Sequence, residues 1–118
     1  MISVVDDDTS ICRALKRLLR SFGYEVQTFT SGSEFLAYDF PEKPECLILD
    51  IHMSGMTGFD LQQKLQEEGR NLPVIFITAL DDDLTRQKAS ESGAVAFLRK
   101  PVDDQSLIVA IQKATSRK

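Results

Sequence analysis

Residues 46–50 read Cys46-Leu47-Ile48-Leu49-Asp50, and residues 73–78 read Pro73-Val74-Ile75-Phe76-Ile77-Thr78. Neither stretch alternates apolar with polar residues. A strand with one wet face must alternate, so an unbroken apolar run over 46–49 or 73–77 predicts a strand covered on both faces. Such strands belong to parallel sheets, in which helical crossovers supply the cover on either side. Each run also ends beside a side chain with chemistry to offer, Asp50 in one case and Thr78 in the other.

The sequence around these two strands repeats their surroundings. Ile2-Ser3-Val4-Val5 is a short apolar run that leads into Asp6, Asp7 and Asp8. From Thr9 to Phe22, Ile11, Leu15, Leu18, Leu19 and Phe22 follow helical three-and-four spacing. Asp8 stands where a helix cap is expected, and Gly23 where a helix-ending glycine is. Tyr24 to Phe29 suits a strand. Ser31 and Glu34 have the spacing of a capping box and open a short helix through Phe35, Leu36 and Phe40, which Pro41 and Pro44 stop. A third helix starts at Thr57-Gly58-Phe59-Asp60, carries Leu61 and Leu65, and ends at Gly69. Asp82 or Asp83 caps a fourth, which runs to Ser92. Ala94 to Leu98 reads as the fifth strand, and Asp103 or Asp104 caps a last helix with Leu107, Ile108 and Ile111. The pattern is (βα)5. It predicts a doubly wound parallel sheet of flavodoxin-like order 2-1-3-4-5, in three layers.

Composition removes several function classes. The 118 residues carry 14 Lys and Arg against 18 Asp and Glu, a formal net charge of −4. Direct nucleic-acid binding needs a basic face, which this balance does not favour. No apolar run approaches a membrane span, and the N-terminal residues lack the basic and apolar regions of a signal peptide. Cys12, Cys46 and the single His52 are too few for a disulfide framework or a structural zinc site. Both cysteines read as small buried hydrophobes. The expectation is a small acidic module of the cytoplasm.

Open α/β sheets bind ligands beyond the carboxyl ends of their strands. Read off in order, those ends are Asp6-Asp7, Asp50, Thr78 and Lys100, while the second strand ends in Phe29-Thr30. Three carboxylates at one sheet edge repel one another, and a hard divalent cation relieves the repulsion. Mg2+ is expected, with Asp7 and Asp50 as direct ligands, Asp6 acting through a metal-bound water, and a backbone carbonyl at about His52. Lys100 adds a point cation and Thr78 a hydroxyl donor. Together they form a binding set for a phosphoryl group, with Asp50 on the central strand as nucleophile and an aspartyl phosphate as product. Lys100 precedes Pro101, and a cis bond there would fix where the ammonium points. Asp81-Asp82-Asp83 reads as loop charge and helix capping.

The motifs VVDDD at 4–8, LILDIHMSGMTG at 47–58, VIFITAL at 74–80 and FLRKPVDD at 97–104 together resemble the receiver domain of bacterial two-component response regulators. The resemblance spans essentially the whole chain, so residues 1–118 are expected to form a single receiver domain. It implies Asp6 and Asp7 as the acidic pair that binds Mg2+, or Mn2+ in its place, Asp50 as phosphoacceptor, Lys100 as the phosphate-binding lysine, and Thr78 and Phe97 as switch residues. It implies a sensor histidine kinase as phosphoryl donor and a homodimer on phosphorylation, with no membrane partner and no catalytic turnover of an external substrate. MTGFDLQQKL and GAVAFLRKPVDD are most similar to the FixJ-type branch, whose receivers usually precede a helix-turn-helix domain. DNA would then be reached only through an output domain beyond residue 118. Two departures stand out. Ser54 occupies a position that is commonly proline in the family, which predicts a looser loop. His52 sits two residues after the acceptor, where a phosphohydrolase using the same intermediate would need a second Asp.

Overall fold

The computed structural model describes residues 1–116 of the chain, so the last two positions of the expected unit lie outside the described residues. Five strands and five helices alternate: β1 Ile2–Val5, α1 Thr9–Ser21, β2 Val26–Phe29, α2 Gly32–Ala37, β3 Cys46–Asp50, α3 Gly58–Glu67, β4 Val74–Thr78, α4 Asp83–Glu91, β5 Ala96–Arg99 and α5 Asp104–Thr115. All strands are parallel, in the order β2-β1-β3-β4-β5. The two apolar runs form β3 and β4, and every residue of both is buried.

Strand geometry sends successive side chains to opposite faces, and this splits the core in two. Ile2, Val4, Cys46, Ile48, Ile75 and Ile77 meet Leu15 and Leu19 of α1 and Leu107 and Ile111 of α5. Val5, Leu47, Leu49, Val74 and Phe76 meet Phe35 of α2, Leu61 and Leu65 of α3, and Ala89 of α4. The sheet is thus a middle layer with α1 and α5 on one side and α2, α3 and α4 on the other.

Side-chain caps fix where the helices begin. Asp8 accepts from the Ser10 and Ile11 amides, Asp82 from Thr85 and Asp103 from Ser106, which settles the two ambiguous caps on the first aspartate of each pair. Thr57 and Asp60 form a reciprocal capping box on α3. On α2, Ser31 caps the Glu34 amide at 3.0 Å, but the Glu34 carboxylate accepts from Thr30 rather than from Ser31. Gly23 has φ +91°, the left-handed turn expected after α1.

Most boundaries fall within a residue or two of the sequence reading, and three of the differences have a visible cause. β2 begins at Val26 rather than Tyr24, since the first register pair with β1 is Ile2 opposite Val26. The Tyr24 amide instead donates to the Leu19 carbonyl at the end of α1. β5 covers Ala96–Arg99 rather than 94–98, since it pairs with β4 from Ile75 to Thr78. α2 stops at Ala37, not near Phe40. The backbone turns extended at Tyr38, and Tyr38 and Phe40 fold back to stack on Phe29 at 5.4 and 5.7 Å. These edge-to-face ring contacts, and Pro41 just beyond, take the place of one more helical turn there. Among the described residues, no helix is long and apolar enough to cross a membrane.

Candidate functional site

The strand order puts the carboxyl ends of β1, β3, β4 and β5 side by side. Asp6 follows β1 and is fully buried, Asp7 beside it is exposed, and Asp50 at the end of β3 is 3 % exposed. One carboxylate oxygen from each of Asp6, Asp7 and Asp50 lies within 4.8 Å of the others. Lys100 reaches in from the end of β5, its backbone amide donating to the Thr78 carbonyl at 2.7 Å. Its Nζ stands 2.8 Å from Asp6 Oδ2 and 3.3 Å from Asp50 Oδ1. The Lys100–Pro101 peptide bond is cis.

These charges are unevenly compensated. Burial pushes the Asp50 carboxyl up to about 6, with the charge of Asp6 adding to the rise and Lys100 opposing it. Burial pulls the Lys100 ammonium down, but its closeness to Asp6 and Asp50 outweighs this and its pKa is raised. Asp6 Oδ1 accepts from the Asp8 amide at 2.9 Å. Asp6 Oδ2 is buried and faces the Lys100 ammonium at 2.8 Å. Three carboxylates meet at this edge, and the single ammonium contacts two of them. That is an all-oxygen set suited to a hard divalent cation.

Thr78 ends β4 at this edge, while Phe97 sits two residues back along β5, opposite Phe76, and both make other contacts. The buried Thr78 hydroxyl donates to the Leu80 carbonyl at 3.1 Å and accepts from the Leu80 amide at 3.0 Å. Phe97 is half-buried against the α4 side of the sheet, and the Arg86 guanidinium lies over its ring at 5.1 Å. Arg86 in turn pairs with both oxygens of Asp81 at 2.7 Å. The triple-Asp stretch therefore serves as cap and ion pair. His52 is exposed on the loop after β3. Cys12 and Cys46 are buried, and burial pushes their thiols up to about 11 and about 12, which disfavours the thiolate.

The loop after β3 is tighter than its serine predicts. Ile51 and Met53 are buried, Met56 packs against Gly32 at the start of α2, and the Ser54 amide donates to Asp7 Oδ2 at 3.2 Å. Gly58 is a site residue that the sequence reading passed over as a helix start. Its amide donates to the Ile51 carbonyl at 2.8 Å, and a Cβ there would meet the Asp50 carbonyl oxygen at 2.5 Å. Only glycine lets α3 begin this close to Asp50. The signal was a glycine next to the cap residue Thr57, where glycine has no capping purpose.

Comparison with known proteins agrees with this geometry. The sequence model described as "Response regulator receiver domain" matches residues 2–112. Nodulation protein W of Bradyrhizobium diazoefficiens is 41% identical over 117 residues, 99% of this chain and 52% of its own. Transcriptional regulatory protein TdiR of Thauera aromatica is 39% identical over 113 residues, 96% of this chain and 50% of its own. The crystal structure of a response regulator receiver protein from Burkholderia phymatum is 43% identical with a TM-score of 0.82, over 99% of this chain and 95% of that one. The chain thus spans about half the length of the curated relatives it matches. With nearly its full length matched and an acidic cluster at the edge where a metal can bind, this chain belongs to the response regulator receiver domain family.

Proposed function

We propose that this chain is a phosphorylation-activated signal receiver whose phosphoacceptor is Asp50. The observation that carries the reading is the buried Asp50 carboxylate at the end of the central strand, with Lys100 Nζ at 3.3 Å and Asp6 and Asp7 alongside. Asp6, Asp7, Asp50 and the His52 carbonyl would hold Mg2+, or Mn2+ in its place. When bound, the cation supplies positive charge to the phosphoryl oxygens and relieves the carboxylate repulsion. An Asp50 oxygen attacks the phosphorus of a phosphohistidine on a sensor histidine kinase. The P–O bond forms as the P–N bond breaks, and the electron pair leaves on the imidazole nitrogen. Lys100 exchanges its carboxylate partners for a phosphoryl oxygen and stabilises its charge.

Switching follows from the hydroxyl of Thr78. To bond the phosphoryl group it must leave Leu80, and the space it vacates admits the ring of Phe97. The surface of α4, β5 and α5 changes shape and forms a homodimer. The acceptor is modified stoichiometrically and turns over no external substrate. The resemblance to the FixJ-type branch and the name of the relative TdiR support a role in transcription control. In that reading residues 1–118 are one receiver domain in the cytoplasm, without membrane or direct nucleic-acid contact, and DNA is reached through a C-terminal output domain.

Acetyl phosphate with Mg2+ tests the chemistry. Intact-mass measurement should show one phosphoryl group added per chain, and none in Asp50→Asn. Lys100→Ala should slow the addition by roughly a hundredfold. A full mass shift in Asp50→Asn would overturn the assignment.

A further inference from the structure

We propose that the backbone amide of Ser54 is a positioning group for Asp7, holding that carboxylate ready for the cation. The inference rests on the metal reading above and goes beyond it to a residue outside the acidic set. Asp7 is exposed, and an exposed aspartate ordinarily samples several rotamers. Here its Oδ2 accepts from the Ser54 amide at 3.2 Å, with the Ser54 hydroxyl at the edge of contact at 3.5 Å. In this same conformation Asp7 lies within 4.8 Å of Asp6 and Asp50. A carboxylate has about four lone-pair positions, so accepting from Ser54 leaves Asp7 able to bind a cation.

The donor exists only because residue 54 is not proline, which has no N–H to give. It is also held in place. Met53 is buried on one side, Met56 rests on Gly32 on the other, and Gly55 takes φ +77° between them. The loop that follows the phosphoacceptor is thereby tied across the sheet edge to the loop that follows β1. Asp7 is pre-oriented without a metal, so binding the cation does not have to freeze its rotamer.

Magnesium titration by calorimetry on wild type, Ser54→Ala and Ser54→Pro tests this. Ser54→Ala keeps the N–H and should bind within about twofold of wild type. Ser54→Pro loses the donor and should bind about three- to tenfold more weakly, the range for a charge-assisted hydrogen bond partly open to water. Equal or tighter binding by folded Ser54→Pro would overturn the role of Ser54 alone. Absence of Mg2+ binding by wild type would overturn the function proposed above. Amide hydrogen exchange of Ser54, measured without metal in wild type and Asp7→Ala, does not depend on whether the proline variant folds. The Ser54 amide should exchange at least about threefold faster once Asp7 is removed, and an unchanged rate would overturn the contact itself.

Discussion

The helices α4 and α5 flank the same edge strand, β5, from opposite faces of the sheet, and they are anchored very differently. Along α5, Leu107, Ile108, Ala110, Ile111 and Ala114 are buried. Along α4 only Thr85 and Ala89 are, and Leu84 is 75 % exposed. Burying a leucine or isoleucine stabilises by roughly 1.5–3 kcal/mol, while an alanine and a threonine contribute far less. α5 is therefore part of the wall that holds the fold, while α4 is held by its Asp82 cap, two small buried side chains and surface contacts such as Lys88 over Phe59 and Arg86 over Phe97. Local opening energies follow buried apolar contact, so the element with least to lose is the one that can occupy two states. The Asp81–Arg86–Phe97 stack joins this loosely held helix to the strand behind it.

The largest expected effect tests that contrast directly. Leu107→Ala in α5 should cost about 2–5 kcal/mol in urea unfolding, because it opens a cavity against a fully buried site. Leu84→Ala in α4 should stay within about 0.5 kcal/mol of wild type. Comparable losses would erase the distinction between the two helices.

A second effect separates global from local stability. The Asp50 carboxyl is raised from 3.8 to about 6 in the fold. A raised carboxylate pKa favours the folded state while the group is protonated. That stabilisation is fully present below the unfolded value and is lost as pH rises through about 6. Without metal, wild type should therefore lose on the order of 2–3 kcal/mol between about pH 4 and pH 7 through this group. Asp50→Asn should recover it near neutral pH. In native-state hydrogen exchange, the α5 amides, which open only with the whole fold, should gain the added protection. The α4 amides, which open locally, should not. A lower metal-free melting temperature for Asp50→Asn would contradict the cluster's strain.

The smallest effect concerns the caps. Asp82→Ala removes the acceptor for the Thr85 amide, and α4 amides should then exchange roughly fivefold faster with little change in the global unfolding midpoint. Asp103→Ala, the matching change on α5, should move the global midpoint instead. If Asp82→Ala shifted the global midpoint as much as Asp103→Ala does, α4 would not be an independent unit.

How much of this was legible depended on whether the cause was local. The unbroken apolar runs named β3 and β4 because only a doubly covered strand dispenses with polar alternation, and α1 followed from its own spacing and its Asp8 cap. The starts of the edge strands were misplaced by two residues because an edge strand is bounded by its register with its partner, Val26 opposite Ile2 and Ala96 opposite Ile75. Nothing in Tyr24-Glu25 says that β1 starts at Ile2. The end of α2 was missed because Tyr38 and Phe40 turn back to meet Phe29 of β2 edge-to-face, a contact with a residue outside the segment.

The sequence by itself determined the five-strand order, the two core faces and which carboxylates share a sheet edge. Periodicity and strand ends are properties of consecutive residues, and parallel topology does the rest. Only the tertiary structure decided the individual bonds at that edge. It set Lys100 between Asp6 and Asp50, gave the Thr78 hydroxyl to Leu80, placed Arg86 over Phe97 and brought the Ser54 amide to Asp7. Apart from the local Thr78–Leu80 turn, these contacts join residues on different elements or loops. Their distances and angles depend on how loops seat against a finished sheet, and no spacing along a single segment encodes that.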